Sequence, residues 1–210
     1  MEPTEENLRA WDEAHRRHAE TGRGAGLPPL VRKALGALRG KRVLHLLSGT
    51  GEATLELAEL GATVTGVEPS AAKLDVARAR APSVLWIEAD PDALPGQLRR
   101  GRFDLVYAGP GTLASLHDVD GLAAGAAAAA RKGGDVLLFD EHPVAACVDG
   151  LLHWRENYFD GIRLGQVVNA LVRHGLHVEA LEEYPARPHG ARRLDARVPG
   201  EFLLYARRLG

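Results

Sequence analysis

A glycine-rich turn and an acid at the end of the following strand are the first residues in this sequence that could do chemistry. The turn, residues 48–51, directly follows an apolar run at residues 43–47. Glycine has no Cβ, so a bound molecule can approach the backbone closely there. The next apolar run, residues 62–67, ends at Glu68. An acid in that place can accept hydrogen bonds from both ribose hydroxyls, so the pattern predicts a nucleoside pocket.

Two later strand ends add to the predicted pocket. Asp90 follows the third apolar run, between Ala89 and Pro91, and the fourth run leads into Ala108 and Gly109. A carboxylate such as Asp90 can accept a hydrogen bond from an adenine amino group while apolar neighbours cover the ring. Ligands of open α/β sheets bind beyond the carboxyl ends of the strands, so all these residues are expected along one edge.

A second group of polar residues follows the fifth apolar run, and it could serve the reacting partner. His142 is the leading candidate for a general base, since its ordinary pKa suits proton transfer near neutrality. The alternative is a structural histidine that orients the turn at Pro143. Glu141 could instead bind the molecule that reacts at this site. Asp140, Glu141 and His142 could also be metal ligands, but consecutive strand residues alternate faces, which makes convergence on one ion difficult.

Strands and helices must alternate to bring these residues together. Strands are expected at residues 43–47, 63–67, 84–87, 103–107 and 136–140, with closing strands at 176–181 and 201–205. Helices are expected at residues 27–38, 52–60, 70–80, near 92–99, 121–131 and 161–174. Near-continuous apolar strands between helices predict a mostly parallel sheet covered on both faces.

The N-terminal region is predicted to form a helix followed by a glycine-rich hinge. Residues 4–20 place Trp11, His15 and His18 on one helical face. A helix followed by the glycines of residues 21–26 could close as a lid over a bound molecule, with His18 in contact with it. The alternative is an ordinary packing helix.

The length and composition of the chain limit which domain organisation, partners and compartment are expected. One domain over residues 1–210 is expected, with a helical cap at 1–40 and the core at 41–210. The 26 Lys and Arg residues nearly balance the 28 Asp and Glu residues. This balance argues against a polyanionic partner that is bound through the net charge of the protein. The single Cys147 excludes an internal disulfide and a cysteine-based zinc site. A chain without disulfides is consistent with a reducing compartment. Without an apolar signal core or a membrane-spanning run, a soluble cytoplasmic protein is expected.

Four motifs in order resemble those of the class I S-adenosylmethionine-dependent methyltransferases. They read VLHLLSGTGE from Val43, VTGVEPS from Val64, EADPDALP from Glu88 and FDLVY from Phe103. The resemblance implies a Rossmann-like α/β fold with a seven-stranded sheet and an antiparallel last strand. It implies S-adenosylmethionine as cofactor and S-adenosylhomocysteine as product. The residues implied to bind the cofactor are His18, Leu47, Ser48, Gly49, Thr50, Gly51, Glu68, Pro69, Ala89, Asp90, Pro91, Ala108 and Gly109.

Within that resemblance, particular residues have particular partners and two positions depart from the pattern. Gly49 and Gly51 are implied to face the methionine and ribose part, Glu68 the ribose hydroxyls and Asp90 the adenine amino group. Leu47 stands where the family usually has its first glycine, and His45 where it often has an acid. The site is therefore expected to hold the amino end of the cofactor differently or more weakly.

The histidine variant is similar to a branch of small bacterial methyltransferases with a Trp…His helix at the front and Glu-His-Pro after strand five. Trp11, His18 and His142 match it. That branch places substrate contacts in segments after the main strands, which makes Tyr158 a second catalytic candidate and Tyr184 a further contact. Packing with a surface hydroxyl is the alternative for each tyrosine.

The aromatic residues Trp154 and Phe159 could line an apolar acceptor pocket or be buried in the core. A basic loop contains Arg187, Arg192, Arg193 and Arg197. It could rim an anionic acceptor, touch RNA or be solvated.

The resemblance predicts methyl transfer to a small-molecule acceptor. In-line displacement from a sulfonium mainly requires alignment, which can supply ~7–11 kcal/mol of the barrier. Residues 108–111 read Ala-Gly-Pro-Gly and lack the Asn-Pro-Pro-Tyr signature of amide or nucleobase amino methylation. An RNA or protein methyltransferase is the runner-up, nucleic acid and membrane partners are not expected, and a homodimer is left open.

Two other classes remain as alternatives. A dinucleotide oxidoreductase requires G-x-G-x-x-G after the first strand, and Thr54 occupies the third glycine position. A non-catalytic binder of S-adenosylmethionine or S-adenosylhomocysteine would use the same pocket without transfer.

Overall fold

The computed structural model describes residues 26–149, 153–186 and 197–210. The predicted N-terminal lid, with Trp11, His15 and His18, lies outside the described residues. So do three arginines of the basic loop, Arg187, Arg192 and Arg193.

Seven strands of the described ranges form one sheet in the order β3-β2-β1-β4-β5-β7-β6. They are β1 Arg42–Leu46, β2 Thr63–Glu68, β3 Leu85–Glu88, β4 Phe103–Ala108, β5 Ala130–Glu141, β6 Leu176–Pro185 and β7 Pro199–Arg208. Strands β1 to β5 pair in parallel, and β7 is antiparallel to both β5 and β6. The predicted sheet and its antiparallel last strand are confirmed.

Helices occupy most of the predicted segments. They are α1 Pro29–Leu35, α2 Glu52–Glu59, α3 Ala71–Arg80, α4 Thr112–Ser115, α5 Val119–Ala129, α6 Pro143–Cys147 and α7 Leu164–Arg173. The helix predicted near residues 92–99 is wrong, since that segment forms turns. Pro95 and Gly96 interrupt it there, because proline lacks an N–H and glycine is a poor helix former.

Side chains that alternate along the strands build a core on each face of the sheet. On one face, Leu46, Val106 and Leu138 pack with residues of α5 and α7. On the other face, Val43 and Tyr107 lie in a cluster with residues of α1 and α2. Burial on both faces fixes the register of the parallel strands, and this aligns their carboxyl ends along one edge.

Trp86 of β3 packs closely against β2 and the glycine turn. Its ring is so close that a Cβ added to Gly66 of β2 would come 2.4 Å from it, and one added to Gly51 would come 2.9 Å from it. The indole Nε1 donates to the carbonyl oxygen of Ala81 at 2.9 Å. The two glycines therefore make room for the Trp86 ring.

Among the helices of the described ranges, none has the length and apolar character needed to cross a bilayer.

Candidate functional site

The turn between β1 and α2 has an unusual backbone. Leu47, Gly49 and Gly51 have φ angles of 52°, 57° and 93°, in the left-handed region. The N–H and the hydroxyl of Ser48 both donate to the carbonyl oxygen of Val67, at 2.9 and 3.2 Å. A Cβ built at Gly49 would meet no described atom within 4 Å, so space is open beside the turn.

Glu68 at the end of β2 is 2% exposed and connects the two strand ends. One carboxylate oxygen accepts from the N–H of Gly49 at 3.0 Å, and the other from the N–H of Ser70 at 3.1 Å. The Lys73 ammonium lies 3.6 Å from the second oxygen. Each carboxylate oxygen has a second lone pair, so Glu68 can brace the turn and still accept from a ligand hydroxyl.

The predicted adenine end lies after β3. Asp90 is exposed, Ala89 is half-buried and Pro91 is buried. Next to them Asp92, which sequence reasoning did not select, accepts hydrogen bonds from the N–H groups of His117 and Asp118 at 3.0 Å. Asp92 thereby fixes the loop that leads into α5 beside this end of the pocket.

Asp140 at the end of β5 holds the loop that follows β4. Its carboxylate accepts from the N–H groups of Gly111, Leu113 and Glu141 at 2.7–2.8 Å. Burial raises the pKa of Asp140 to about 6 although these three hydrogen bonds act in the opposite direction. Sequence reasoning considered Asp140 only as a metal ligand and missed this positioning role.

His142 is buried and begins α6. Its Nδ1 accepts from the N–H of Val144 at 3.1 Å, so the neutral ring carries its proton on Nε2. Nε2 lies 2.9 Å from Oε1 of Glu183, although the angles between the two groups are not those of a hydrogen bond. Burial lowers the pKa of His142, and Glu183 opposes that shift. The ring is therefore neutral near pH 7 and it orients the turn at Pro143.

The aromatic candidates lie on the chain after α6. Tyr158 is half-buried and its ring meets that of Phe159 edge to face, 5.5 Å between centroids. Trp154 and Phe159 are 61% and 70% exposed, so neither is buried in the core. Tyr184 of β6 is half-buried and donates its hydroxyl hydrogen to Glu182.

His45, at the position where an acid was expected, carries no charge. It is 3% exposed, its Nδ1 lies 2.8 Å from the Thr54 hydroxyl, and its ring stacks on Tyr107 at 4.9 Å. Burial lowers the pKa of His45 to about 3, so the imidazole is neutral at any working pH. Sequence reasoning noticed His45 but missed Tyr107, its partner across the strands.

Across residues 26–149, 153–186 and 197–210, no three His, Cys, Asp or Glu side chains come together as a metal site. The carboxylate of Asp140 is instead occupied by backbone donors.

Replacing Leu47 with glycine is expected to leave the free energy of unfolding within about 1 kcal/mol of wild type. A left-handed conformation costs a non-glycine residue roughly 1–2 kcal/mol, and its relief offsets the lost side-chain packing. Leu60 is equally half-buried but has a φ of −71°, so Leu60→Gly has no strain to relieve and should be clearly more destabilising. Urea unfolding of both variants checks this; equal losses would show that Leu47 is unstrained.

The comparisons with known proteins agree with this geometry. A family model described as "Methyltransferase domain" matches residues 43–134. An uncharacterized methyltransferase of Synechocystis sp. is 32% identical over 108 residues, 49% of this chain and 48% of that protein. A demethylmenaquinone methyltransferase of Renibacterium salmoninarum is 38% identical over 66 residues, 31% of this chain and 28% of that protein. The matched region thus spans about half the length of the first relative and less of the second.

A solved structure extends the match to most of the chain. The S-adenosylmethionine-dependent methyltransferase from Mesorhizobium loti has a TM-score of 0.70 and 27% identity, over 86% of this chain and 96% of that one. The region matched by the family model contains both the glycine turn and Glu68, and the sheet has the antiparallel β7 that the resemblance implied. Residues 43–134 thus match a methyltransferase-domain family, and the described fold is similar to that of a solved S-adenosylmethionine-dependent methyltransferase.

Proposed function

We propose that this protein binds S-adenosylmethionine along the carboxyl edge of β1 to β4 and transfers its methyl group to a small molecule. The observation that carries the proposal is the hydrogen bond between Glu68 and the Gly49 N–H, which places a buried acid beside an open glycine turn. The acid can accept hydrogen bonds from the ribose hydroxyls, and the glycine turn leaves room for the methionine part of the cofactor.

The residues fit the cofactor as a set. Gly49 and Gly51 leave room for the methionine and ribose part, Glu68 accepts from the ribose hydroxyls and Asp90 accepts from the adenine amino group. Other residues proposed to line the pocket are His18, Leu47, Ser48, Thr50, Pro69, Ala89, Pro91, Ala108 and Gly109. When bound, the cofactor supplies a methyl group activated by its positive sulfonium.

The protein's own contribution is alignment and, for a protonated acceptor, removal of a proton. His142 is the leading base, and Tyr158 is a second candidate. The neutral state of the His142 ring at pH 7 suits a base. Its Nδ1 lone pair, however, is engaged by Val144, and its Nε2 proton faces Glu183. A base role therefore requires the Val144 N–H to release the Nδ1 lone pair, which would take the proton, with the Glu183 carboxylate beside the resulting imidazolium.

A small acceptor is supported by three observations. Residues 108–111 lack the Asn-Pro-Pro-Tyr signature, and the net charge of −2 does not favour a polyanion. The Renibacterium relative is named for demethylmenaquinone, which is not a macromolecule. RNA or protein methylation is the runner-up, and a non-catalytic binder the alternative. The single-domain organisation, the cytoplasmic location and the homodimer stay predictions.

The direct test is incubation with S-adenosylmethionine labelled on its methyl group. Parallel reactions contain metabolite fractions, total RNA or unmodified protein extract, and a chain with Glu68→Ala is the control. Label transferred only to the metabolite fractions supports the proposal. Label in RNA or protein moves the function to the runner-up. Tight binding of S-adenosylhomocysteine without transfer to any fraction indicates the non-catalytic binder.

Replacing His142 with asparagine separates its two roles. Asparagine is a good N-cap and can keep the hydrogen bond to Val144, but it cannot act as a base. If His142 is the base, His142→Asn keeps S-adenosylhomocysteine affinity and thermal stability while kcat falls about 10²- to 10⁴-fold. His142→Ala should also lose about 1 kcal/mol of stability through the cap. A wild-type kcat in His142→Asn would make His142 purely structural.

A further inference from the structure

We propose that the hydroxyl of Tyr107 binds the amino-acid end of S-adenosylmethionine, in place of the acid that His45 replaces. The inference rests on the cofactor binding proposed above and not on the identity of the acceptor. Tyr107 is 0% exposed, and its hydroxyl has no hydrogen-bond partner within the three described ranges of the chain. A buried polar group without a partner costs free energy, so it marks a place where a partner is expected.

The hydroxyl lies at the edge of the sheet where the cofactor is expected. Tyr107 is the penultimate residue of β4 and pairs in register with His45 of β1. A Cβ built on Gly109 would lie 3.0 Å from the tyrosine oxygen, so the hydroxyl reaches past the end of its own strand. A side chain at residue 109 would crowd the buried hydroxyl, and glycine there avoids that contact.

The neighbouring charges favour a positively charged group. Burial, and then the carboxylates of Asp140 and Glu56, raise the pKa of Tyr107, so the phenol stays protonated. His45, stacked on the phenol ring, is neutral and offers no charge of its own. Because Glu56 is paired with Arg32, the Asp140 carboxylate is the main negative charge near the neutral phenol oxygen, which suits an ammonium group as a partner.

The cofactor's methionine part carries such an ammonium group beside a carboxylate. The phenol oxygen can accept from the ammonium, and its own hydrogen can be donated to the carboxylate. Hydrogen bonds to charged groups are stronger than those between neutral groups. One neutral side chain can therefore hold the zwitterionic end without the usual acid.

The test compares two ligands with Tyr107→Phe. S-adenosylhomocysteine contains the amino-acid end, whereas 5′-methylthioadenosine contains the nucleoside and sulfur without it. Calorimetry should show that Tyr107→Phe weakens S-adenosylhomocysteine binding about tenfold or more and leaves 5′-methylthioadenosine binding unchanged. The thermal midpoint of the free protein should stay equal or rise, since an unpartnered buried hydroxyl is removed.

Tyr205→Phe is the matched control. The Tyr205 hydroxyl already accepts from Arg207 at 3.0 Å, and Arg207 pairs with Asp135 in the middle of β5. This control should not change the affinity of either ligand. Equal S-adenosylhomocysteine affinity in Tyr107→Phe and wild type overturns the proposal, and so does an equal loss for both ligands. If the wild-type protein binds 5′-methylthioadenosine but not S-adenosylhomocysteine, the amino-acid end is not held at all and the proposal also fails.

Discussion

Replacing Glu68 with alanine is expected to weaken S-adenosylhomocysteine binding by about 10- to 100-fold. A hydrogen bond to a charged group contributes about 1.5–3 kcal/mol, and each 1.4 kcal/mol is about tenfold in affinity. The substitution removes the acceptor proposed for the ribose hydroxyls. It also leaves the N–H groups of Gly49 and Ser70 without their partner, which loosens the turn itself. Isothermal titration calorimetry measures the loss.

A ligand that lacks the 2′-hydroxyl separates the two contributions. If Glu68 holds the ribose, the 2′-deoxy analogue of S-adenosylhomocysteine binds the wild-type protein more weakly than the parent does, and this difference disappears in Glu68→Ala. If Glu68 only braces the turn, both proteins show the same difference between the two ligands. Glu59→Ala, which removes an exposed acid from α2, is the control and should bind as wild type does. Unchanged affinity in Glu68→Ala would contradict the placement of the ribose.

The positions of the strands along the chain and the residues at their ends could be predicted because both are local properties. Each strand is an apolar run, and the residues after it must lie at the carboxyl edge of a parallel sheet. This was enough to place the turn at residues 48–51 and Glu68 in adjacent positions. The predicted helix near residues 92–99 is wrong because Pro95 and Gly96 interrupt a helix there.

The contacts made by the site's side chains could not be predicted because they depend on strand register. Asp140 reaches Gly111 only because Ala108 of β4 lies beside Leu138 of β5. His45 stacks on Tyr107 because β1 and β4 are aligned residue by residue. No pattern within a window of the sequence specifies such pairings, since each joins segments far apart in the chain.

Comparison of wild type with Asp140→Asn is expected to show a stability difference that depends on pH between about 4 and 6. Burial raises the pKa of Asp140 from 3.8 to about 6 in the folded state. A carboxyl group with a raised folded-state pKa stabilises the fold fully below the unfolded pKa, and this contribution is lost as pH rises through the folded pKa. Asparagine has nearly the same shape and does not titrate.

The free energy of unfolding of wild type relative to Asp140→Asn should therefore fall by about 2.5 kcal/mol from pH 4 to pH 7, because most of a shift of about two units, at ~1.4 kcal/mol for each unit, lies in this window. Urea unfolding of both proteins at several pH values in this window measures it, and the subtraction removes the titration of other carboxyl groups. A difference that rises with pH would mean that the hydrogen bonds from Gly111, Leu113 and Glu141 outweigh burial. The Asp140 carboxylate would then hold the loop after β4 as a stable anion rather than as a strained one.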